Sequence, residues 1–166
     1  TTPWTLPSNS AVAVGPDIEY SLVEVASDHS GVLAGERVLI ATDLIPAYAK
    51  ELGEEPSVVA TYKGSELVGI HYHPIYDYFD TPERRAEGGT PGPNAWSIIA
   101  AEYVTTTDGT GLVHQAPAFG EDDMWTCMEY GIGVVLPVDE GGVFTSEVPD
   151  YEGMQIFDAN RYVVAD

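Results

Sequence analysis

Glycine and proline set the scale of what this chain can build, because 17 glycines and 12 prolines are spread through only 166 residues. Proline fixes φ and removes a backbone donor, while glycine loosens the chain, so long regular elements are repeatedly interrupted. Between the breaks lie short runs rich in β-branched and aromatic residues: Ala11 to Val14, Glu19 to Ala26, Glu36 to Ala41, Val58 to Tyr62, Trp96 to Tyr103, Leu112 to Gln115 and Val134 to Val138. These read as strands. Asp108-Gly109-Thr110-Gly111 supplies a tight turn. Two segments suit helices. The first runs from about Asp43, a candidate N-cap, to Leu52, with Gly53 as its stop. The second opens near Gly120, where Glu121, Asp122 and Asp123 crowd the first turn, and closes near Gly131. Thr81 to Pro93, polar and rich in glycine and proline, reads as a mobile loop. The expected fold class is a β-rich α+β domain, barrel-like, of short strands with about two helices.

Apolar residues make up 44% of the chain, enough for a packed core, and the length suits a single domain over residues 1–166. No stretch of eighteen apolar residues and no charged-then-apolar leader occurs, so the expectation is a soluble, cytoplasmic monomer. Because it starts at Thr1 within a turn-like motif, the chain reads as a fragment of something larger. The single cysteine, Cys127, allows no internal disulfide and no cysteine-rich zinc site. Among Trp125, Met128 and Tyr130 it reads as a buried structural thiol.

Charge narrows the choice of partner. Asp plus Glu total 27 against six Lys plus Arg, a formal net charge of −21, and the lysines are only Lys50 and Lys63. Such a field repels phosphate at long range. If RNA is a substrate, most of its affinity should come from another part of the parent protein. A heavily solvated acidic surface suited to a salty cytoplasm is a compatible reading.

Four segments could carry chemistry, and each has a plainer structural reading. Thr1-Thr2-Pro3-Trp4-Thr5-Leu6-Pro7-Ser8-Asn9 combines stiffening prolines with hydroxyl and amide groups, and Trp4 offers a face for a nucleobase. It could equally be a tether with Trp4 in the core. In Gly109 to Pro117, strand alternation puts Leu112 and His114 on one face. His114 could line a pocket or simply pack. In Ala118-Phe119-Gly120-Glu121-Asp122-Asp123 the carboxylates could cap a helix, or one could hold a substrate ammonium. In His71-Tyr72-His73-Pro74-Ile75-Tyr76-Asp77-Tyr78-Phe79-Asp80 the two histidines share a face, and Asp77 or Asp80 could complete a metal site. The tyrosines favour a packed aromatic strand and turn instead. There is no GxSxG elbow, no phosphate-binding GxxxxGKS loop and no dinucleotide fingerprint.

TTPWTLPSN followed by AVAV, and GTGLVHQAPAFGEDD about a hundred residues on, resemble the two signature regions of the editing insertion of class I aminoacyl-tRNA synthetases. Order and spacing match, and the similarity covers nearly the whole chain. Valyl and leucyl members usually carry an acidic residue where Trp4 stands and lack a histidine at His114. Trp4, Leu6-Pro7 and His114 therefore resemble the isoleucyl member, as does LVGIHYHPIYDYF. In that family the threonine run begins one residue earlier than Thr1. No HIGH or KMSKS activation motif occurs.

The resemblance implies an editing domain that hydrolyses valyl-tRNA(Ile), and possibly valyl-adenylate, without aminoacylating tRNA itself. Valine and isoleucine differ by one methylene, which a pocket separates by only ~1–3 kcal/mol; this amino-acid pair is the standard illustration of that limit. A second, smaller pocket raises the selectivity. By resemblance, Asp123 anchors the substrate α-ammonium and His114 is the wall that refuses the longer side chain. Thr1, Thr2 and Thr5 orient the ester and water, and Trp4 and Asn9 lie near the terminal adenosine. The implied partners are the 3′ end of tRNA(Ile) carrying valine and the remainder of the parent synthetase, with no metal or cofactor and no membrane. The alternatives are a non-catalytic β-barrel interaction module and a metal hydrolase using His71 and His73. An inserted domain also implies that Thr1 and Arg161 to Asp166 lie on one side of the fold.

Overall fold

The computed structural model describes residues 2–29 and 31–166. Six short strands form: β1 (Ala11–Val14), β2 (Glu19–Glu24), β3 (Arg37–Ala41), β4 (Ser57–Lys63), β5 (Ser97–Ala100) and β6 (Leu112–Gln115). They make two three-stranded sheets, ordered β5-β1-β6 and β3-β2-β4. Among the described residues neither sheet closes on itself, so the barrel-like expectation is corrected to a mixed α+β fold with open sheets. Closure needs edge strands that find partners, and β4 instead leaves Val58 and Val59 about half exposed.

Helices are more numerous than the two expected, and most are a single turn. The described residues hold α1 (Ala49–Leu52), α2 (Gly64–Leu67), α3 (Pro82–Arg85), α4 (Glu121–Glu129) and α5 (Ile156–Val163), plus 3-10 segments at Pro3–Ser8, Thr42–Tyr48 and Pro149–Tyr151. The segment expected as one helix from Asp43 to Leu52 is a 3-10 turn containing Pro46 that passes into α1 and stops at Gly53, φ 85°. Part of the expected loop at 81–93 is α3, where the Thr81 hydroxyl accepts from Arg84 N and Pro82 takes the first turn. The expected strand at Val134 to Val138 forms only an isolated bridge, Val138 with Phe144. Pro137 has no N–H to offer a ladder.

By contact the chain divides into two compact units. The first comprises Thr1–Val12, Gly69–Ile99 and His114–Asp166; the second comprises Ala13–Val68 and Ala100–Val113. In the second, β2 pairs antiparallel with β3 from Tyr20↔Ala41 to Glu24↔Arg37, and antiparallel with β4 across a bulge at Val59. Its core is Val14, Tyr20, Val23, Val25, Ile40 and Ala41. The buried Tyr20 hydroxyl donates to Gly111 O at 2.6 Å and accepts from Gly15 N at 2.9 Å. Gly64 is needed there for space, since a Cβ would lie 1.9 Å from Gly15 O.

The first unit packs around Trp96, Phe144, Ile99, Ile132, Val148 and Tyr151. Its C-terminal helix, α5, buries Ala159 and Val163, at a spacing of four residues on one helical face. From that helix the Asn160 side chain accepts Trp4 N at 3.0 Å, so the two terminal stretches of the described chain lie together. Thr1 falls outside the described residues.

Candidate functional site

The two signature segments meet through His114. The first is the 3-10 segment Pro3–Ser8, which Pro3 and Pro7 stiffen and which ends as Asn9 N donates to Leu6 O at 2.9 Å. The second is β6 with the turn that follows it. Ser10 N donates to Gln115 O at 2.9 Å, bringing the two backbones alongside. His114 Nε2 is then 3.0 Å from Thr5 Oγ1, and His114 Nδ1 is 2.8 Å from Asn9 Nδ2.

Donor and acceptor chemistry fixes the direction of every bond in this network. Asn9 Nδ2 also donates to Ala11 O at 3.0 Å, which identifies it as the nitrogen, and Asn9 Oδ1 accepts from the Tyr72 hydroxyl at 2.5 Å. His114 Nδ1 faces an N–H donor and is therefore the unprotonated acceptor. The proton sits on Nε2 and is given to Thr5 Oγ1, whose own hydrogen goes to Thr2 O at 2.8 Å. A protonated ring would bring a second N–H against the Asn9 amide hydrogens. Burial acts in the same direction and holds the His114 pKa down at about 4, against an ordinary 6.5. At neutral pH His114 is an uncharged, fixed, half-buried ring and a weak base.

Trp96 supports this arrangement from beneath. Its backbone N donates to Ser10 O at 2.7 Å and its indole N–H donates to Asn9 O at 2.9 Å. It does so with φ 54°, a conformation that costs a bulky residue roughly 1–3 kcal/mol. Strain at a fully buried tryptophan that grips Asn9 and Ser10 is the kind that surrounding structure must enforce.

Asp123 stands in the first turn of α4. Its Oδ2 accepts from Ala116 N at 3.0 Å, tying the helix start to the residue just past β6. Its Oδ1 accepts no hydrogen bond among the described residues. Gly120 makes room for the carboxylate, because a Cβ there would lie 3.0 Å from Asp123 Cγ. Trp4 packs edge-on against Phe119, with ring centroids 4.5 Å apart. Thr2 is exposed, and Thr1 lies outside the described residues.

Of the proposed site residues, the structure joins Thr2, Thr5, Asn9 and His114 in one bonded chain. It sets Trp4 against Phe119, one residue before Gly120, and sets Asp123 on Ala116. Sequence reading missed Tyr72 and Trp96. The signal for Tyr72 was available, since alternation in HYH turns it away from the two histidines and toward the interior. Nothing local marks Trp96 as a support. Cys127 is fully buried with its thiol pushed up to about 12, first by burial and then by nearby Asp123. His71 and His73 are exposed, and no group of three His, Cys, Asp or Glu side chains suited to a metal occurs among the described residues.

No family model matches the chain. Individual relatives do. It is 57% identical over all 166 residues to the isoleucine–tRNA ligase of Corynebacterium diphtheriae, and 50% identical over the same span to that of Mycobacterium tuberculosis. The chain is a segment of the isoleucine–tRNA ligase family. It spans 15% of the first ligase and 14% of the second. Its fold is shared with solved editing domains of leucyl-tRNA synthetases. One from Plasmodium falciparum superposes with a TM-score of 0.66 at 12% identity, covering 98% of this chain and 72% of that one. Its Plasmodium knowlesi counterpart gives 0.64, also at 12% identity, covering 98% of this chain and 77% of that one.

Proposed function

We propose that this segment of an isoleucine–tRNA ligase hydrolyses valine wrongly esterified to tRNA(Ile), and valyl-adenylate where it reaches the site. Residues 1–166 act as one editing domain beside the remainder of the parent enzyme, in the cytoplasm. The observation that carries this reading is the neutral His114 ring, locked at both nitrogens between Thr5 and Asn9. A ring so held is a poor proton acceptor and a good wall. It suits a pocket that measures side-chain length and leaves the proton chemistry to other groups.

Asp123 presents its unbonded Oδ1 to the substrate α-ammonium while Oδ2 stays on Ala116 N. Thr5 has its hydroxyl hydrogen committed to Thr2 O, so it orients substrate rather than attacking it. Thr1 and Thr2 flank the ester, and Trp4 and Asn9 lie toward the terminal adenosine. Water adds to the ester carbonyl carbon, the bond to the ribose oxygen breaks, and that oxygen takes the proton. An activated ester needs positioning more than a protein nucleophile.

The test is deacylation by the full-length ligase, with Asp123→Ala as its control. Wild type should hydrolyse valyl-tRNA and spare isoleucyl-tRNA, with or without a chelator. The variant should lose roughly a hundredfold or more in rate, because a charge-assisted contact to a partly desolvated ammonium is removed. Its melting temperature should fall only slightly, from loss of the bond to Ala116 N. A variant that is much less stable yet deacylates normally would assign Asp123 to holding Ala116 N alone. Loss of wild-type activity on chelation, restored by zinc, would favour a metal hydrolase.

A further inference from the structure

A second concavity shares a wall with the His114 network. It measures about 410 Å³ and is bounded by His71, Tyr72, His73, Asp80 and Arg85. Cavities of this order hold ligands of nucleotide size. Tyr72 is common to both places, since it lines the cavity while its hydroxyl donates to Asn9 Oδ1.

Arg85 gives the cavity its character. Its guanidinium lies 4.6 Å over the Trp96 ring and is held by Asp80 through Nε to Oδ1 and Nη2 to Oδ2. A guanidinium clamped on one face by an indole and along its edge by a carboxylate is a rigid plane. Arg85 lines the cavity, and its side chain keeps 35% of its exposure. Flat guanidinium surfaces accept unpaired bases by stacking, whatever the base. The charge is favourable too. In a chain of net charge −21 the Asp80–Arg85 pair cancels locally, and two of the four histidines line the same hollow. It is an opening of locally balanced charge, bordered by two exposed histidines, in an otherwise acidic protein.

We propose that this cavity is a nucleotide slot. It takes the nucleotide immediately 5′ of the esterified adenosine, its base on the Arg85 plane and its phosphate beside His71 and His73. The proposal rests on the editing reading above, which puts the adenosine near Asn9, the residue that Tyr72 bonds. It assigns tRNA recognition to a segment that plays no part in the ester chemistry.

Full-length ligase carrying His73→Ala or Arg85→Lys tests it on two substrates, valyl-tRNA and the 3′-valyl ester of adenosine alone. Each variant should lose about tenfold in kcat/KM on valyl-tRNA and nothing on the adenosine ester, which has no nucleotide for the slot. Lysine keeps the charge of Arg85 but not its plane. His73 is exposed, so its truncation tests the slot even if Arg85→Lys loosens Asp80. Equal losses on both substrates would show action through Tyr72 and Asn9 and overturn the slot, as would no loss on either. In wild type a dinucleotide ending in adenosine should inhibit about tenfold better than adenosine 5′-monophosphate. Equal inhibition would mean a phosphate contact only, with no base bound. If wild type hydrolyses neither substrate the editing reading fails and the slot with it, an outcome distinct from a variant-specific null.

Discussion

The β2–β3–β4 sheet and the His114 network hold their parts in place by different means. In the sheet the bonds run backbone to backbone over an apolar core, and any side chain that keeps the pattern can occupy a surface position. In the network each link is a single side-chain atom with a fixed sense: Tyr72 to Asn9, Asn9 to His114, His114 to Thr5, Thr5 to Thr2. A ladder shares damage among many equivalent bonds. A one-way chain has no spare link, and a half-satisfied buried network is costly. The first region should therefore tolerate substitution, while the second should convert small changes into changes of specificity.

The sharpest way to break this contrast is His114→Ala. Removing the imidazole deletes more atoms than the extra methylene of isoleucine requires, so the full-length variant should begin to deacylate isoleucyl-tRNA. The expected gain is on the order of tenfold or more over wild type, in line with what a methylene-sized barrier supplies. Initial rates on both charged tRNAs read it out. A general base would behave otherwise: valine hydrolysis would fall by ~10²–10⁴ with no entry of isoleucine. A folded His114→Ala protein that leaves isoleucyl-tRNA untouched would remove the wall from the proposed mechanism.

The same ring should make the network, and not the sheet, a source of acid sensitivity. The His114 pKa is about 4 in the folded protein and near 6.5 when exposed. Above pH 6.5 the ring is neutral in both states and contributes no pH dependence. As pH falls from 6.5 toward 4 the unfolded chain takes up a proton that the folded one refuses, so stability declines across that window and levels off below it. Melting curves of wild type and His114→Gln at pH 7 and pH 4.5 isolate this from the carboxylates, which titrate in both proteins. The wild type should lose more melting temperature than the variant over that interval. Equal losses would mean that His114 titrates normally and is not held neutral.

Legibility in the sequence divides along the same line. Strands β1 and β6 were readable to the residue and β2 to β5 to within a few, because β-branched runs bounded by glycine and proline are local signals. The one-turn helices and the failure of the sheets to close were not, since pairing of strand edges is decided far along the chain. Of the site, Asn9 and His114 were legible only through resemblance. Nothing in TTPWTLPSN says that Asn9 will meet a ring 105 residues away. The inward turn of Tyr72 was readable but its partner Asn9, 63 residues away, was not, and the role of Trp96 exists only once the fold brings Asn9 to its indole. The helix start near Gly120 was readable from its acidic first turn, but it was not readable that Asp123 would bond Ala116 N, outside α4, instead of capping the helix.

The smallest predicted effect tests the tolerant side of the comparison. Arg37 and Glu24 are register partners on β3 and β2, with Nε and Oε2 2.8 Å apart. By distance this pair matches the Asn9–His114 bond, also 2.8 Å. Yet the Arg37 and Glu24 side chains keep 55% and 40% of their exposure, so water competes for both charges throughout. Exposed pairs of this kind contribute ~0–1 kcal/mol, and salt screens most of that. Arg37→Gln keeps the aliphatic stem that covers the sheet and removes only the charge. Its melting temperature should therefore drop by less than about 3 °C in low salt, and by less still in 1 M salt. Deacylation of valyl-tRNA should not change, because the backbone ladder from Tyr20↔Ala41 to Glu24↔Arg37 needs no side chain to keep its register. A large, salt-insensitive loss would show that this pair pins the strands as Asn9 pins His114, and the distinction between a shared ladder and a single-file network would fail at its strongest point.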